Sequence, residues 1–240
     1  MLRANEGCGF YQKTPSLWLQ KRCIGIGMFS GIIHSIAKVC DVADKHTSSS
    51  RFSVYVDKQQ VLGLKRGASC ALNGVCLSVV DIEHPNDESK QDVAKIYFEL
   101  GSQTQHITTL KQLTGYQKLH FERSICFGDE QGGHMVYGHV EGISTVIGIE
   151  DGDYSDKILT LQVPDSSRHY LFVRAYIALN GVSLTISHCN KNTGEFSVNL
   201  IPITLKKTLF SHLNIGDKVN FEVDYHTKVI VDVIRENRIS

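Results

Sequence analysis

The chain has 240 residues, enough for two domains of about 100 residues each. Lysine plus arginine and aspartate plus glutamate balance at 25 each, and no long basic run is present, so the charge that drives nucleic-acid binding is missing. No stretch approaches the roughly 20 apolar residues of a membrane-spanning helix, so no membrane association is expected.

Cysteine usage and the N-terminal segment set the expected environment. The seven cysteines include no Cys-x-x-Cys pair and are scattered as buried thiols usually are, which favours a reducing, cytoplasmic location. Residues 1–27 have no counterpart in the second repeat and are expected to be an extension outside the fold, disordered or loosely docked. Lys21 and Arg22 interrupt the apolar Leu-Trp-Leu segment before a signal-peptide core could form.

A duplicated segment organises the rest of the chain. Residues 71–75 and 178–182 both read Ala-Leu-Asn-Gly-Val at an offset of 107 residues, and the same offset aligns 28–33 with 135–140. A repeat of this length indicates two similar domains, because solenoid periods are usually about 20 to 50 residues. The predicted domains are 28–124 and 125–226, followed by a C-terminal helix over 227–240.

Alternating apolar residues predict β-strands in both halves. The clearest runs are Phe52, Val54 and Val56; Ile96, Phe98 and Leu100; Leu159, Leu161 and Val163; and Phe196, Val198 and Leu200. The two Asn-Gly pairs predict tight hairpin turns. Many short strands, present twice, predict a mainly all-β chain with two small antiparallel barrels. The polar segment His84–Lys90 is expected to be a loop of the first copy only.

The C-terminal segment has apolar residues at helical spacing, with Val229 and Ile230 four residues before Val233 and Ile234. Such a helix joins subunits or caps its own barrel, and the sequence leaves both alternatives open.

Polar side chains differ between the copies at three matched positions. The pairs are His139 with Ile32, Cys76 with Ser183, and Asp224 with Ser124. Imidazole, thiol and carboxyl groups, with ordinary pKa values of about 6.5, 8.5 and 4, can transfer protons at neutral pH. The alternatives are that the thiol is a buried core residue and that one of His134 and His139 is structural. These two histidines have no further ligands at supporting spacing, so no metal site is expected.

Two threonine-bearing segments, 101–108 and 201–208, lie at matched places in the copies. Hydroxyl and backbone groups at strand ends suit a neutral, hydroxyl-rich heteroaromatic ligand. Each segment could instead begin a helix with a capping threonine.

Several motifs together resemble the riboflavin synthase family from Met28 to the C-terminal region. They are Met-Phe-Ser-Gly-Ile at 28–32, both Asn-Gly-Val segments, Gly-Gly-His-Met-Val-Tyr-Gly-His-Val at 132–140, Ile201-Pro202, and Val-Asn-Phe-Glu-Val-Asp at 219–224. The resemblance implies two tandem six-stranded antiparallel Greek-key β-barrels, related by a pseudo-twofold axis, plus a C-terminal α-helix. It also implies a homotrimer in which the active site lies between the first barrel of one subunit and the second barrel of its neighbour.

The reaction implied by the resemblance joins two identical substrates. A four-carbon unit passes from one molecule of 6,7-dimethyl-8-ribityllumazine to a second, giving riboflavin and 5-amino-6-ribitylaminouracil without any cofactor. Holding both reactants in place can be worth effective molarities of about 10⁵ to 10⁸ M. Association with lumazine synthase is left open.

The resemblance carries over two groups of substrate-binding residues. The first is Gly31, Ile32, Ile33, Cys76, Leu77, Ser78, Glu99, Leu100, Gly101, Ser102, Gln103 and Thr104. The second is Gly138, His139, Val140, Arg174, Ser183, Leu184, Thr185, Leu200, Ile201, Pro202, Ile203, Thr204 and Leu205. The catalytic candidates are His139, Cys76, Ser183, Thr185, Asp224 and Ser69.

The expected roles divide between the two substrates. His139, with Ser183 and Thr185, removes a proton from the acidic C7 methyl group of one lumazine or activates water. Cys76 and Asp224 assist addition to the other lumazine and the later elimination. The chain departs from the family pattern at Gln103 and Ile203, where the family usually has glutamate, and at Arg174, where lysine is common. The notable competing function is a non-catalytic lumazine or flavin carrier, and a third is a purely structural pair of barrels. The resemblance implies that carriers on this fold have lost the paired histidines that this chain keeps.

Overall fold

The computed structural model describes residues 27–43, 49–84 and 92–237. The expected N-terminal extension and most of the predicted loop at His84–Lys90 lie outside the described residues.

The first barrel consists of six strands in the order β1-β2-β5-β4-β3-β6, with β6 pairing back onto β1. All of its strand pairs are antiparallel. The elements are β1 (Ser35–Ala43), β2 (Ser49–Asp57), β3 (Ser69–Leu72), β4 (Val75–Glu83), β5 (Val93–Gly101), α1 (Ser102–Ile107) and β6 (Lys118–Arg123).

The second barrel repeats this order as β7-β8-β11-β10-β9-β12, again closed and antiparallel. Its elements are β7 (Gly142–Asp151), β8 (Lys157–Gln162), β9 (Tyr176–Leu179), β10 (Val182–Asn190), β11 (Glu195–Leu200), α2 (Pro202–Lys207) and β12 (Lys218–Val223), followed by α3 (Tyr225–Glu236). The predicted fold class is therefore confirmed. No helix within the described ranges is long and apolar enough to cross a membrane.

The predicted strand residues fill the barrel interiors. In the first barrel, Phe52 and Phe98 stack with ring centroids 5.7 Å apart, and both are at most 2% exposed. Phe196 and Phe221 are equally buried in the second barrel. Burying an aromatic or aliphatic side chain of this size contributes about 1.5–3 kcal/mol each. Each barrel therefore has its own core.

The two Asn-Gly hairpins meet where the barrels touch. Asn73 and Asn180 have φ values of 45° and 44°, and the following glycines have φ values of 76° and 83°. Two consecutive residues with positive φ are typical of a type I′ turn, as predicted. A Cβ on Gly74 would lie 2.5 Å from the backbone nitrogen of Gly181, so the hairpin tips are in direct contact. Equivalent residues thus face each other, as a pseudo-twofold axis requires.

A pair of buried polar side chains, His120 and Asn220, joins the barrels. His120 Nδ1 donates to the carbonyl of Asn180 (2.9 Å), and its Nε2 accepts from the N–H of Leu209 (2.8 Å). Burial lowers the pKa of His120 to about 4, so the ring is neutral and can accept at Nε2.

Asn220 occupies the position equivalent to His120 in the second barrel. Its Nδ2 donates to the carbonyl of Asn73 (2.9 Å), and its Oδ1 accepts from the N–H of Thr109 (2.8 Å). Two different side chains therefore make equivalent cross-barrel bonds.

The C-terminal helix α3 begins two residues before the predicted position, because Asp224 caps it. The Asp224 carboxylate accepts from the backbone N–H and the hydroxyl of Thr227, both at 2.9 Å. The Tyr170 hydroxyl donates to Asp232 (2.5 Å), and Lys228 pairs with Glu141. These contacts fasten α3 to the second barrel.

The expectation that the cysteines are thiols holds for four of the described residues. Cys40, Cys70, Cys76 and Cys189 are free. Cys126 departs from it, because it is disulfide-bonded.

Candidate functional site

Each barrel is preceded by a short segment that lies against the other barrel. Residues 29–33, here the first crossing segment, precede β1, yet the Gly31 carbonyl accepts from the N–H of Ser183 (2.9 Å), and Ile33 packs in the second core. Residues 136–140, the second crossing segment, precede β7, yet the Gly138 carbonyl accepts from the N–H of Cys76 (3.0 Å). Phe29 and Val136 pair with each other between the barrels.

Glycine is required where each crossing segment meets the opposite barrel. Gly31 and Gly138 have φ values of 71° and 73°, a region that residues with a Cβ rarely adopt. A Cβ on Gly31 would lie 2.6 Å from Ser183 Cβ, and a Cβ on Gly138 would lie 2.5 Å from Cys76 Cβ. Two equivalent sites result: the barrel-1 site around Cys76 and the barrel-2 site around Ser183.

The barrel-1 site is a cavity of about 280 Å³. Its lining residues are Val75, Cys76, Gln103, Thr104, Ile107, Thr108, Gly138, His139 and Val140. His139 is exposed and also lines a neighbouring cavity of about 240 Å³, where it stands beside Tyr137 with ring centroids 6.2 Å apart. An accessible imidazole next to a thiol can exchange protons with a ligand held in this cavity.

The Cys76 thiol is in a setting that keeps it protonated. Burial raises its pKa, the nearby Glu222 carboxyl raises it further, and a hydrogen bond with Ser69 lowers it. Burial is the largest of these causes. Cys76 is therefore a proton donor at neutral pH more readily than a thiolate nucleophile.

The barrel-2 site contains a histidine that the repeat alignment alone did not single out. His134 Nδ1 lies 2.6 Å from the Ser183 hydroxyl oxygen, and the backbone N–H of His134 donates to the same oxygen (3.1 Å). The serine O–H donates to Nδ1 in the tautomer that carries the His134 proton on Nε2, and the hydroxyl oxygen accepts from Nδ1 in the other tautomer. His134 stacks on Tyr176 with centroids 5.0 Å apart and an interplanar angle of 8°.

The His134 ring is neutral at physiological pH. Burial lowers its pKa to about 4, while the carboxylate of Asp224 acts in the opposite direction. Its Nε2 atom is buried, and none of the residues described in the structure provides a hydrogen-bond partner for it. Ser183 thus has an adjacent neutral base that can accept its proton.

A model of the lumazine binding domain family matches residues 30–124 and 137–224. A riboflavin synthase of Buchnera aphidicola is 36% identical over 87% of this chain and 94% of its own length. The riboflavin synthase of Escherichia coli is 31% identical over 86% of this chain and 92% of its own length.

The chain belongs to the riboflavin synthase family. The family membership that the motifs predict is confirmed, and it makes the protein an enzyme of riboflavin biosynthesis. Among solved structures, LumP complexed with 6,7-dimethyl-8-(1'-D-ribityl) lumazine aligns with a TM-score of 0.67 and 23% identity. That alignment covers 81% of this chain and 98% of LumP, and it supports the fold.

The structure divides the predicted binding residues differently from the sequence. The crossing-segment residues of each predicted group lie at the site of the other group. The sequence-based grouping of Gly31, Ile32 and Ile33 with Cys76 is wrong, because the first crossing segment lies on Ser183. Likewise, Gly138, His139 and Val140 belong with Cys76. A fixed offset aligns the copies but cannot tell which barrel a segment contacts.

Two of the expected pairings of catalytic side chains are corrected in the same way. The expected partnership of His139 with Ser183 is not formed within one chain, since the Ser183 hydroxyl bonds His134 and His139 lies with Cys76. Asp224 caps α3 and influences His134 instead of acting beside Cys76. Ser69 does contact Cys76.

The remaining predicted binding residues lie on the strands and short helices around the two sites. Leu77, Leu100, Leu184 and Leu200 are buried in the barrel cores. Exposed residues are Ser78, Glu99, Gly101, Ser102, Gln103, Arg174, Thr185, Ile201, Pro202 and Ile203, and half-buried ones are Thr104, Thr204 and Leu205. In the two threonine-bearing segments, Thr108 and Thr208 are capping residues. Their hydroxyl oxygens accept from the backbone N–H groups of Leu110 and Phe210 in the turns after α1 and α2.

Proposed function

We propose that the chain catalyses the dismutation of two molecules of 6,7-dimethyl-8-ribityllumazine to riboflavin and 5-amino-6-ribitylaminouracil. A four-carbon unit leaves one substrate and joins the other, and the two products together contain the atoms of the two substrates. The reaction therefore consumes no cofactor. The observation that carries the proposal is the pair of equivalent sites whose reactive side chains differ, in a member of the riboflavin synthase family.

Two equivalent sites suit a reaction between two identical molecules, and their differences suit a donor and an acceptor. Cys76 and His139 stand where the other site has Ser183 and Ile32. Only the barrel-2 site contains the buried pair of His134 and Ser183. Differences at equivalent positions allow one lumazine to lose a proton while the other is attacked.

Roles for the side chains follow from their surroundings. His139 and the protonated Cys76 exchange protons with the lumazine on the barrel-1 site. Ser183, with its proton directed to His134, acts on the lumazine on the barrel-2 site, and Asp224 stabilises positive charge that develops on His134. Thr185 joins Ser183 among the polar residues of the barrel-2 site. Ser69 joins those of the barrel-1 site through its hydrogen bond to Cys76.

A single barrel does not enclose two substrates. The barrel-1 cavity, at about 280 Å³, lies at the lower edge of the about 300–1,000 Å³ typical of ligand pockets. We therefore assign the second substrate to the barrel-2 site of a neighbouring subunit, so that two ligand rings stack between two chains. Ile201 and Ile203, in the segment that matches 101–108 of the first barrel, are exposed and provide apolar surface for such an approach.

Helix α3 supports a homotrimer. Its polar contacts fasten it to its own barrel, while Val229, Ile230, Val233 and Ile234 remain 41–59% exposed. Such a stripe of large apolar side chains on one helix is typical of a protein interface. The two alternatives left open by the sequence are thus compatible: α3 caps its barrel with one side and joins subunits with the other. A cytoplasmic location and association with lumazine synthase are further expectations from the family.

The alternative of a carrier is distinguished by turnover. Purified protein is incubated anaerobically with 6,7-dimethyl-8-ribityllumazine, and riboflavin is followed by absorbance. We expect one riboflavin for every two lumazines consumed, with strong losses in the His139→Ala and Cys76→Ala variants. Bound but unchanged lumazine would establish a carrier and exclude the dismutase.

A further inference from the structure

Two buried glutamates lie at equivalent positions in the last strand of each barrel. Glu122 in β6 is 2% exposed, and Glu222 in β12 is 6% exposed. Carboxyl groups are almost never fully buried unless they are paired. Neither residue forms an ion pair within the described part of the chain.

Glu222 holds the second crossing segment by its backbone. Its Oε1 atom accepts from the N–H of Tyr137 at 2.7 Å, and the N–H groups of Gly138 and His139 also point to the carboxyl group. The Gly138 carbonyl in turn accepts from the N–H of Cys76. A continuous set of hydrogen bonds therefore runs from Glu222 through the His139 backbone segment to Cys76.

Glu122 does the same for the first crossing segment. Its Oε1 atom accepts from the N–H of Ser30 (2.7 Å), the hydroxyl of Ser30 (2.8 Å) and the N–H of Gly31 (3.2 Å). The Gly31 carbonyl then accepts from the N–H of Ser183. Each glutamate thus belongs to one barrel and holds a segment against the reactive side chain of the other.

The second oxygen of each carboxyl group makes this arrangement costly for folding alone. Oε2 of both glutamates is buried, and no hydrogen-bond partner for either atom occurs among the described residues. Burial raises the pKa of both carboxyl groups to about 7, while the backbone N–H bonds lower it. A buried acid with an unpaired oxygen at the same place in both copies points to a role in the sites.

We propose that Glu222 is the positioning residue that sets His139 against Cys76, and that Glu122 is its counterpart for the segment on Ser183. This inference rests on the proposed function, since it deepens the account of those two sites. Neither glutamate lines the barrel-1 cavity, and Glu222 lines the neighbouring cavity of about 240 Å³ that His139 also lines. Each acts through the backbone that it holds, and a misplacement of about 1 Å can cost about 100-fold in rate.

A double-mutant cycle tests the proposal. We expect Glu222→Ala to lower kcat by about 10- to 100-fold, and Glu222→Ala combined with His139→Ala to be no slower than His139→Ala alone. Glu222→Gln keeps an accepting oxygen, so it should restore most of the activity. The matched control is Glu122→Ala with His139→Ala, where the two losses should multiply because Glu122 holds the other segment.

Two results would overturn the proposal. One is that the losses of Glu222→Ala and His139→Ala multiply, as they do for a purely structural residue. The other is that Glu222→Ala turns over normally. If Glu222→Ala does not fold, Glu222→Gln decides: the proposal requires near-normal kcat and fails if kcat falls as far as in His139→Ala.

A binding measurement separates this inference from the proposed function. If His139→Ala leaves turnover unchanged, the proposed role of His139 is wrong. A titration with riboflavin then tests the positioning role of Glu222 independently. We expect Glu222→Ala, or Glu222→Gln less strongly, to weaken riboflavin binding at one of two sites per chain. Unchanged binding at both sites in Glu222→Ala would contradict the positioning role.

Discussion

His120 and Asn220 show at the scale of single residues how the two copies diverge without losing contacts. Both side chains donate to the carbonyl of an asparagine in the opposite hairpin and accept from one backbone N–H. They differ in one property, because only the imidazole can take up a proton. A protonated His120 could no longer accept from Leu209.

Replacing His120 with asparagine should remove part of the acid sensitivity of folding. The folded-state pKa of about 4 lies below the unfolded value of 6.5, so the unfolded chain binds the proton first. The contribution of His120 is therefore complete above pH 6.5 and is lost as the pH falls towards 4. When the pH is lowered from 7.5 to 5, the unfolding free energy of both proteins should fall. We expect it to fall by about 2 kcal/mol less in His120→Asn than in the parent chain.

Urea unfolding at both pH values measures this difference. Glu122 and Glu222, whose folded pKa values are raised to about 7, titrate in the opposite direction, with stability lost as the pH rises towards 7. They are present in both proteins, so they cancel in the comparison. Equal pH dependence in parent and variant would show that His120 does not stay neutral in the fold.

At the scale of elements, the crossing segments are the feature that the sequence could not provide. Strands, Asn-Gly hairpins and the duplication all follow from local patterns, and these predictions are confirmed. The contacts of Gly31 with Ser183 and Gly138 with Cys76 do not follow, since exchanging segments between two equivalent barrels leaves every local pattern unchanged. Long-range contacts between two similar halves are specified only in three dimensions.

The buried glutamates were missed for a related reason. A glutamate in a short strand is ordinarily expected to face solvent. One signal was available in the sequence: Phe-Glu occurs at 121–122 and at 221–222, at the same offset of 100 that relates Ser124 to Asp224. A charged residue kept at matched positions of diverged copies could have been proposed as a structural or functional acid.

Substituting Gly138 tests whether the second crossing segment must touch Cys76. An added Cβ would combine a positive φ with a 2.5 Å approach to Cys76 Cβ. We expect Gly138→Ala to cost about 2–4 kcal/mol of stability and at least about tenfold in turnover. Calorimetry should show Tm lower by roughly 5–15 °C.

Gly63→Ala is the matched control for this substitution. Gly63 has a φ of 69°, but an added Cβ there would meet nothing within 4 Å. Only the conformational cost of about 1–2 kcal/mol should appear, with turnover unchanged. If Gly138→Ala behaved like Gly63→Ala, the close contact would have no importance for the site.

At the scale of the whole molecule, α3 is expected to bring the chains together. Replacing Ile230 and Ile234 with glutamate places charges on the exposed stripe, where Ile230 is 59% and Ile234 is 49% exposed. We expect the parent to sediment as a trimer and the double variant as a folded monomer. Turnover of the double variant should be lower by at least about 100-fold. Arg235→Glu changes the charge of the same helix outside the stripe and should stay trimeric. A trimeric, fully active Ile230→Glu/Ile234→Glu variant would remove α3 from the interface.

One substrate is expected to bind on the barrel-1 site of one chain and the other on the barrel-2 site of its neighbour. Mixing two inactive proteins tests it most directly: Cys76→Ala/His139→Ala, which damages the barrel-1 site, and Ser183→Ala/Thr185→Ala, which damages the barrel-2 site. Refolded together in equal amounts, they should recover about a quarter of the parent turnover, because one in four interfaces then joins two undamaged sites. Hybrid trimers that form, as seen by mass spectrometry, but remain inactive would contradict the claim.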